Sequence, residues 1–291
     1  MEERRLLLYF QTGDTVNYVV SRQNGDGGYS FCQGTESNLQ DTYYGLAILN
    51  LLKMPLPNVE QTIKWLNQFP VSNLHSLRYA AKALELCGQN PGIVGGKFLQ
   101  YSRTLLEAID VRLWVAEFKV IYMITELVNT LCAQIEREEI SRCLTSYQNE
   151  DGGFGVQGYS DLTSTYYATM SLFNIGHSAR TLRGALGYAR SCEKPLGGFT
   201  IVPDSSPPHM EHVYHGISIL SLFDEHMRYP EETGRFVLRC RNQNGGFARS
   251  EIGISTFEDT FYAISALQGI VTTKQSLIHL QICDAGDKSD D

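Results

Sequence analysis

Three acids, Asp41, Glu211 and Asp259, stand at or near the starts of predicted helices, and Glu258 lies beside the last of them. Burial among apolar side chains raises the pKa of a carboxyl group, so that it keeps its proton at neutral pH and can act as a general acid toward an alkene or an epoxide. We predict that these three acids are catalytic, with Asp259 the first candidate and Asp41 the second. Both aspartates also suit a purely structural role, since acids in the first turn of a helix are favoured by capping and by the helix dipole.

The acids precede segments with the apolar spacing of a helix, and these segments repeat along the chain. In six copies an aromatic residue or a histidine is followed five residues later by leucine; these anchors are Tyr44, Tyr79, Tyr122, Tyr167, His215 and Tyr262. Consecutive anchors lie 35, 43, 45, 48 and 47 residues apart, which is long enough for two helices and their turns. The spacing predicts six helical hairpins.

The second helix of each hairpin is more charged and more amphipathic than the anchor helix. We place these partner helices at 3–22, 58–69, 97–109, 134–147, 179–192 and 230–241. The anchor is followed by glycine or alanine in five of six copies, and small residues allow close packing around an axis. The sequence therefore predicts an all-α fold, an α6/α6 toroid of two concentric rings. It would form a single domain over 1–283, followed by an acidic, mobile tail at 284–291.

A polar turn with paired glycines and a following aromatic ring recurs at 23–29, 148–154 and 242–247. No lysine at a helix start follows these glycines, as a phosphate loop would require. We therefore predict an architectural role for Gly27, Gly28, Gly152, Gly153, Gly197, Gly198, Gly245 and Gly246. In each turn we expect a glycine with positive φ to end an outer helix, and the next ring to plug the gap before an inner helix.

Composition limits the partners and the compartment. A net charge of −8 argues against nucleic acid, because phosphate binding needs clustered Lys and Arg. Seven cysteines without a Cys-x-x-Cys pair are typical of reduced thiols. The sequence has no apolar run of 18 residues that would cross a membrane. We expect a cytoplasmic protein with no transmembrane segment.

Two motifs recur in order along the chain, Gln-Asn-x-Asp-Gly-Gly-(Tyr/Phe) and then (Ser/Asp)-Thr-(Tyr/Phe)-Tyr-(Gly/Ala). This pattern resembles the repeats of protein prenyltransferase β subunits and, more distantly, those of squalene and terpene cyclases. This resemblance covers nearly the whole chain and implies a central funnel in which an isoprenoid chain lies. Aromatic faces suit the wall of such a funnel, because they are apolar and attract positive charge. The residues expected to bind the substrate are Tyr44, Tyr166, Tyr167, Tyr214, His215, Phe261 and Tyr262.

The resemblance also implies zinc and diphosphate sites, and this sequence departs from both. The family's Asp-x-Cys pair and histidine fall on Glu211, Val213 and Asp259. A zinc site would have to use Glu211, Asp259 and a shifted His212 or His215, since carboxylate and imidazole are acceptable ligands. The diphosphate-binding histidine falls on Leu162, and the stretch 200–210 contains no Lys or Arg.

Three functions fit these observations. The first is an isoprenoid-handling enzyme of the prenyltransferase or terpene cyclase type with non-standard chemistry, with a helical α-subunit-like partner or as a homo-oligomer. The second is a non-catalytic toroid that binds a lipid or a protein. The third, a carbohydrate-active barrel with paired carboxylates, lacks sugar-stacking platforms, because Trp65 and Trp114 are predicted outside the inner helices. A cavity open at the end of the funnel where the acids begin the inner helices would favour an enzyme. A funnel filled with side chains would favour the binding toroid.

Overall fold

The computed structural model describes residues 12–92, 115–133 and 135–270. Its α-helices in chain order are α1 (Thr12–Val20), α2 (Leu39–Leu51), α3 (Val59–Gln68), α4 (Leu74–Leu86), α5 (Val115–Leu131), α6 (Arg137–Thr145), α7 (Leu162–Asn174), α8 (Arg183–Ser191), α9 (Met210–Leu222), α10 (Pro230–Arg239) and α11 (257–270). A 3₁₀ helix, Ala179–Leu182, leads directly into α8. Within these ranges strand pairing is limited to isolated bridges, which confirms the predicted all-α class.

The six anchors lie on α2, α4, α5, α7, α9 and α11, and these helices enclose a common axis. Helix α2 packs against α4, α4 against α5, α5 against α7, and α7 against α9. Helix α11 completes the circle. Its Tyr262 stacks on Tyr214 of α9 with 4.6 Å between ring centroids, and its Gln268 Nε2 donates to the Leu51 carbonyl of α2 over 2.7 Å.

Polar residues define where several of these inner helices begin. Asn38, Asn73 and Asp161 precede α2, α4 and α7, and each side chain accepts a hydrogen bond from a backbone N–H in the first helical turn. Such caps satisfy donors that have no partner inside the helix. All inner helices run in the same direction, so these starts lie at one end of the axis, which we call the mouth.

The described outer helices, α1, α3, α6, α8 and α10, fall within the predicted partner segments. Trp65 lies on α3, outside the inner helices as predicted. The partner helix predicted at 97–109, Trp114 and the tail at 284–291 lie outside the described residues. The toroid is therefore observed, while the six-fold repeat stays a prediction.

The glycine turns do not end the outer helices, as the sequence analysis expected. Helix α1 stops at Val20, well before Gly27, and Gly27 packs instead against the next outer helix. A Cβ on Gly27 would lie 2.5 Å from the backbone of Gln61 and Thr62 in α3, and its φ is +91°. Only glycine tolerates both that approach and that conformation.

The same approach recurs along the chain. A Cβ on Gly152 would lie 2.6 Å from the Gly184 carbonyl oxygen of α8, and one on Gly197 would lie 2.3 Å from the Glu232 carbonyl oxygen of α10. Each turn therefore docks onto the outer helix that follows it, which explains why its glycines recur.

The ring that follows each pair of glycines is buried, as predicted. Tyr29, Phe154, Phe199 and Phe247 are fully buried. The backbone N–H groups of three of these residues donate to a threonine hydroxyl on the next inner helix over 2.9–3.0 Å: Tyr29 to Thr42, Phe154 to Thr165, and Phe247 to Thr260. Sequence analysis did not assign these threonines, which join each turn to its inner helix.

The last turn closes the ring by docking onto α1. A Cβ on Gly245 would lie 2.3 Å from the Asp14 carbonyl oxygen, and Thr15 Oγ1 donates to the Gly245 carbonyl over 2.7 Å. Thr62 Oγ1 donates to the Gly27 carbonyl over the same distance. Helix α1 therefore makes with the last turn the contact that α3 makes with the first.

None of the helices in the described ranges combines the length and the apolar character needed to cross a membrane.

Candidate functional site

The inner helices meet around an axial cavity of about 50 Å³. Its lining is aromatic and charged and consists of Tyr43, Tyr44, Arg78, Lys119, Tyr122, Met123, Glu126, Tyr166, Tyr167, Tyr214, Glu258, Phe261 and Tyr262. A space of this size has room for about two water molecules. Six of the seven predicted substrate-binding residues are brought together here, and His215 lies just outside the lining.

Aromatic rings fill most of the axis by packing against one another. Tyr214 lies 5.8 Å from Tyr166, and Tyr44 lies 5.5 Å from Phe261, between ring centroids. Burial raises the pKa of Tyr44, Tyr166 and Tyr262 well above the usual value, so these hydroxyls stay protonated. The axis therefore presents neutral rings whose faces attract positive charge.

Glu258 is one of the two carboxylates that line the cavity, the other being Glu126. Glu258 lies in the first turn of α11 and accepts hydrogen bonds from the Tyr44 hydroxyl over 2.8 Å and the Tyr262 hydroxyl over 2.9 Å. Gln40 Nε2 is a third donor at 3.3 Å. These hydrogen bonds hold the Glu258 carboxyl group against two of the rings that line the cavity.

An ion pair lies deeper in the axis. Arg78 Nε of α4 stands 2.5 Å from Glu126 Oε2 of α5, with side chains only 10% and 18% exposed. The guanidinium also lies 5.3–5.8 Å from the ring centroids of Tyr43, Tyr79 and Tyr122. Burial alone would lower the pKa of Arg78, but Glu126 and these rings raise it well above its ordinary value. The charge is therefore retained inside an apolar wall.

Sequence analysis missed Arg78, Glu126 and Lys119, although the repeat contained a signal for the first. Arg78 directly precedes an anchor, at a position where four other copies have an aromatic ring. A charged side chain at this position of the repeat is therefore an exception that the sequence shows. Glu126 and Lys119 have no such signal, because their positions on α5 face the axis only once the helices are assembled.

The two predicted catalytic aspartates both bond to the start of their own helix. Thr256 Oγ1 donates to Asp259 Oδ2 over 2.7 Å, and Asn38 Nδ2 donates to Asp41 Oδ2 over 2.5 Å. Burial raises the pKa of Asp259 to about 6, against the Thr256 hydrogen bond, and burial also raises the pKa of Asp41. Neither aspartate lines the axial cavity, whereas Glu258 does.

The third predicted acid, Glu211, lies in the first turn of α9. Its carboxylate stands 3.6 Å from Arg249 Nη2, and burial raises its pKa while Arg249 opposes that shift. His212 beside it is buried, and burial followed by the neighbouring His209 lowers its pKa to about 4. Across the described part of the chain, no three His, Cys, Asp or Glu side chains are placed to hold a metal ion. The zinc set Glu211, His212 and Asp259 is thus not brought together.

His215 packs behind the cavity wall. Its ring stacks on Tyr166 with 4.1 Å between centroids and an interplanar angle of 13°. Its side chain is fully buried, and neither ring nitrogen has a hydrogen-bond partner in the described residues. Burial lowers its pKa well below the usual value. A neutral imidazole thus takes the place that tyrosine occupies in the other anchors.

An apolar groove of about 470 Å³ opens at the end of the axis opposite the mouth. It is lined by Met170, Phe173, Tyr214, Ile217, Ser218, Ser221, Leu222, Ser265, Ala266 and Gly269. These residues come from α7, α9 and α11. Tyr214 lines both the groove and the axial cavity, so this residue lies between the two spaces.

Large apolar side chains are exposed on the loops around the mouth. Tyr159 precedes α7 and is 79% exposed, while Ile252 and Ile254 precede α11 and are 92% and 70% exposed. The Ile201 carbonyl accepts from the Leu162 N–H over 2.8 Å, which holds the loop before α9 against the start of α7. We call these exposed side chains the apolar rim.

The sequence matches the family described as the prenyltransferase alpha-alpha toroid domain over residues 4–74 and 97–283. Among solved structures, protein geranylgeranyltransferase-I from Candida albicans, complexed with GGPP, is similar with a TM-score of 0.66. It is 15% identical, over 79% of this chain and 83% of that one.

A type II terpene cyclase from Scytonema, MstE, is also similar. Its apo structure has a TM-score of 0.59 and 12% identity, over 94% of this chain and 99% of that one. A variant of MstE in complex with geranylgeranyl dihydroxybenzoate has a TM-score of 0.60 and 11% identity, over 93% and 97% of the two chains. At these identities the likeness is one of fold.

Proposed function

We propose that this chain, which belongs to the prenyltransferase alpha-alpha toroid family, binds an isoprenoid chain at its axis and acts on it. The observation that carries the proposal is Tyr214, which lines both the charged axial cavity and the apolar groove. Small-molecule sites have volumes of roughly 300–1,000 Å³, a range that includes the groove and excludes the axial cavity. The hydrocarbon therefore enters from the groove, and rotation of the Tyr214 ring joins the two spaces.

The two spaces suit the two ends of such a ligand. The groove supplies apolar contacts for saturated and methyl-bearing carbon. The axial cavity supplies tyrosine faces, the Glu258 carboxylate and the cations of Arg78 and Lys119. Developing positive charge on a polyene is stabilised by aromatic faces and by a carboxylate in a site from which water is excluded.

The reaction that this arrangement favours is acid-initiated cyclisation. In this proposal the Asp259 carboxyl, which does not line the cavity in this structure, turns from Thr256 toward the axis and donates a proton to an alkene or epoxide. A pKa of about 6 leaves part of its population protonated near neutral pH. Glu258 stabilises the resulting cation, which loses a proton to water to give the cyclised alkene, and Asp259 is reprotonated from solvent. Asp41 and Glu211 are the alternative proton donors, since burial raises the pKa of both. Prenyl transfer is the less favoured chemistry, because Glu211, Val213 and Asp259 replace the ligand set implied by the resemblance.

A partner is proposed for the apolar rim. Tyr159, Ile252 and Ile254 are a natural contact for a helical α-subunit-like protein, because exposed apolar side chains gathered on one surface mark interaction sites. A second copy of this chain is the alternative occupant. Size-exclusion chromatography with light scattering distinguishes a homo-oligomer from a monomer that awaits a partner.

A second candidate function, a non-catalytic lipid- or protein-binding toroid, is favoured by the filled axis. A cavity of about 50 Å³ leaves no space for a substrate unless rings move. In that case the groove alone binds the apolar ligand, and the acids at the mouth only stabilise the first turns of their own helices.

The experiment measures geranylgeraniol binding by calorimetry in detergent, followed by mass spectrometry of the recovered lipid. We expect saturable binding that Ser218→Phe abolishes by filling the groove, while Ser191→Phe on the exposed end of α8 leaves it unchanged. A cyclised product that disappears in Asp259→Asn supports the enzyme. Binding without product supports the second candidate, and no saturable binding of geranylgeraniol contradicts both the enzyme and the lipid-binding toroid.

A further inference from the structure

A second cleft, with a volume of about 540 Å³, lies on the outside of the toroid between α6 and the segment that joins α7 to α8. It is lined by Arg137, Glu138, Ser141, Arg142, Ile175, Gly176, His177, Ser178 and Thr181. None of these residues lines the axial cavity or the apolar groove. We call this space the Arg137 cleft.

Its charge distinguishes the cleft from the rest of an acidic chain. Arg137 and Arg142 both line it, and neither forms an ion pair with any residue that the structure describes. Glu138 is the one acid in the lining. In a chain with a net charge of −8, two guanidinium groups without a carboxylate partner form a local excess of positive charge.

Both arginines come from α6 and line the cleft at different points along that helix. Arg137 starts α6, and its guanidinium reaches the opposite wall, where a Cβ on Gly176 would lie 4.0 Å from Nη1. Arg142 lies on the same helix more than one turn further on. A planar guanidinium offers paired N–H donors that match the oxygens of a phosphate group.

Neutral donors complete the lining. Ser141 Oγ lies 2.8 Å from His177 Nε2, so a hydroxyl and an imidazole meet between the two walls. Ser178 precedes the 3₁₀ helix, and its side chain makes no capping hydrogen bond, which leaves the hydroxyl available to a ligand. The Thr181 hydroxyl, by contrast, donates to the Ser178 carbonyl over 2.8 Å.

We propose that the Arg137 cleft binds the phosphate group of a small soluble ligand, a phosphate monoester or a diphosphate. Arg137 and Arg142 neutralise its charge, while Ser178 and the Ser141–His177 pair donate hydrogen bonds to its oxygens. Glu138 sets a limit on affinity, because its carboxylate repels the same ligand. The site is independent of the isoprenoid proposal, since it shares no residue with the axis or the groove.

The test is calorimetric titration of the full chain with inorganic pyrophosphate and, in parallel, with inorganic phosphate. We expect one pyrophosphate per chain, bound more tightly than phosphate. Arg137→Gln and Arg142→Gln should each weaken binding about tenfold, the loss of one charge-assisted contact. Glu138→Gln should tighten it several-fold, because a repulsive charge is removed.

Arg183→Gln is the matched control. Arg183 is an exposed arginine at the start of α8 that does not line the cleft, so its loss should leave binding unchanged. Circular dichroism checks that every variant folds. Equal weakening by Arg183→Gln and Arg137→Gln would show that pyrophosphate is attracted only by general surface charge, and the proposal would be wrong. Absence of saturable binding by the unmodified chain would also overturn it.

Discussion

The glycine turns are alike from copy to copy, whereas the residues along the toroid axis differ. At every turn the same backbone bond crosses the paired glycines over 2.8–3.0 Å, with the N–H of Asn24, Asn149, Lys194 or Asn242 donating to the carbonyl of Gly28, Gly153, Gly198 or Gly246. The first and last turns also share a side-chain contact: Thr62 donates to the Gly27 carbonyl and Thr15 to the Gly245 carbonyl, both over 2.7 Å. Along the axis the equivalent positions differ from copy to copy, with Arg78 where other copies have a ring and His215 where others have tyrosine.

This difference separates architecture from chemistry. The backbone hydrogen bonds of the turns repeat, which is what a stable ring needs. The axis buries an ion pair and an imidazole whose two nitrogens have no partner in the described residues, and both features cost stability. Such costs are expected at functional positions, so substitutions at turns and at the axis should have different consequences.

Gly245→Ala should have the largest effect. The added Cβ would meet the Asp14 carbonyl at 2.3 Å in a backbone with φ +88°, so the turn and α1 must separate. We expect the free energy of unfolding, measured in urea, to fall by more than about 4 kcal/mol. Gly34→Ala is the control, since Gly34 also has positive φ, +82°, but nothing stands within 4 Å of its Cβ position. That variant should lose only about 1 kcal/mol, and equal losses would mean that the contact with α1 does not hold the ring.

Arg78→Met should follow, with a loss of about 3–4 kcal/mol, because Glu126 remains as a buried charge without its partner. The double change Arg78→Met with Glu126→Leu removes both charges and should recover most of that loss. Urea unfolding of the single and double variants gives the coupling between the two residues. If the two single losses simply add in the double variant, the pair is not coupled as the structure implies.

Asp259 should make a smaller contribution to the free energy of unfolding, and this contribution depends on pH. Burial raises its pKa from the ordinary 3.8 to about 6, so the folded chain holds the proton more tightly than the unfolded chain. This contribution to stability is complete below the unfolded pKa and is lost as pH rises through the folded value. Relative to Asp259→Asn, the unmodified chain should therefore lose about 2 kcal/mol between pH 3.5 and 7.5.

Unfolding at several pH values measures this difference, with the exposed Asp204→Asn as control. A stability difference between the unmodified chain and Asp259→Asn that does not change with pH would exclude the raised pKa, and with it the proposed proton donor.

Thr165→Val should have the smallest effect, about 1–2 kcal/mol, because the buried Phe154 N–H loses its acceptor. Thr163→Val on the same helix is the control, since Thr163 is partly exposed and has the same change in helix propensity. The difference in urea midpoint between the two variants isolates the hydrogen bond. Equal midpoints would show that the turn does not depend on it.

The ring of inner helices could be predicted from the sequence because its residue pattern is periodic. Anchor spacing located all six inner helices, and the paired glycines located the turns. What the glycines contact was predicted incorrectly, since the partner of Gly27 is an outer helix more than thirty residues along the chain, and no local pattern specifies it.

Sequence analysis placed Glu258 at the start of an inner helix but chose its neighbour Asp259 as the acid. Glu258 precedes Tyr262 by four residues and Asp259 precedes it by three, and both spacings place side chains on one helix face. The hydrogen bonds of Tyr44 and Tyr262 select Glu258, and Tyr44 belongs to another helix. The partnership of Arg78 with Glu126, on neighbouring helices, likewise needed the assembled ring.

The docking of the last turn onto α1 has a consequence for the order of folding. Thr15 and Gly245 are 230 residues apart, and Tyr18 and Ser255, which bond across the same seam, are 237 apart. Among the described residues this seam therefore joins the segments most distant in sequence. Until the segment around Gly245 leaves the ribosome, α1 has no partner on that side, while each later helix can meet its neighbour soon after synthesis. Loop-closure entropy makes contacts of this kind slow to form. The seam should therefore be the last part of the toroid to assemble and the first to open.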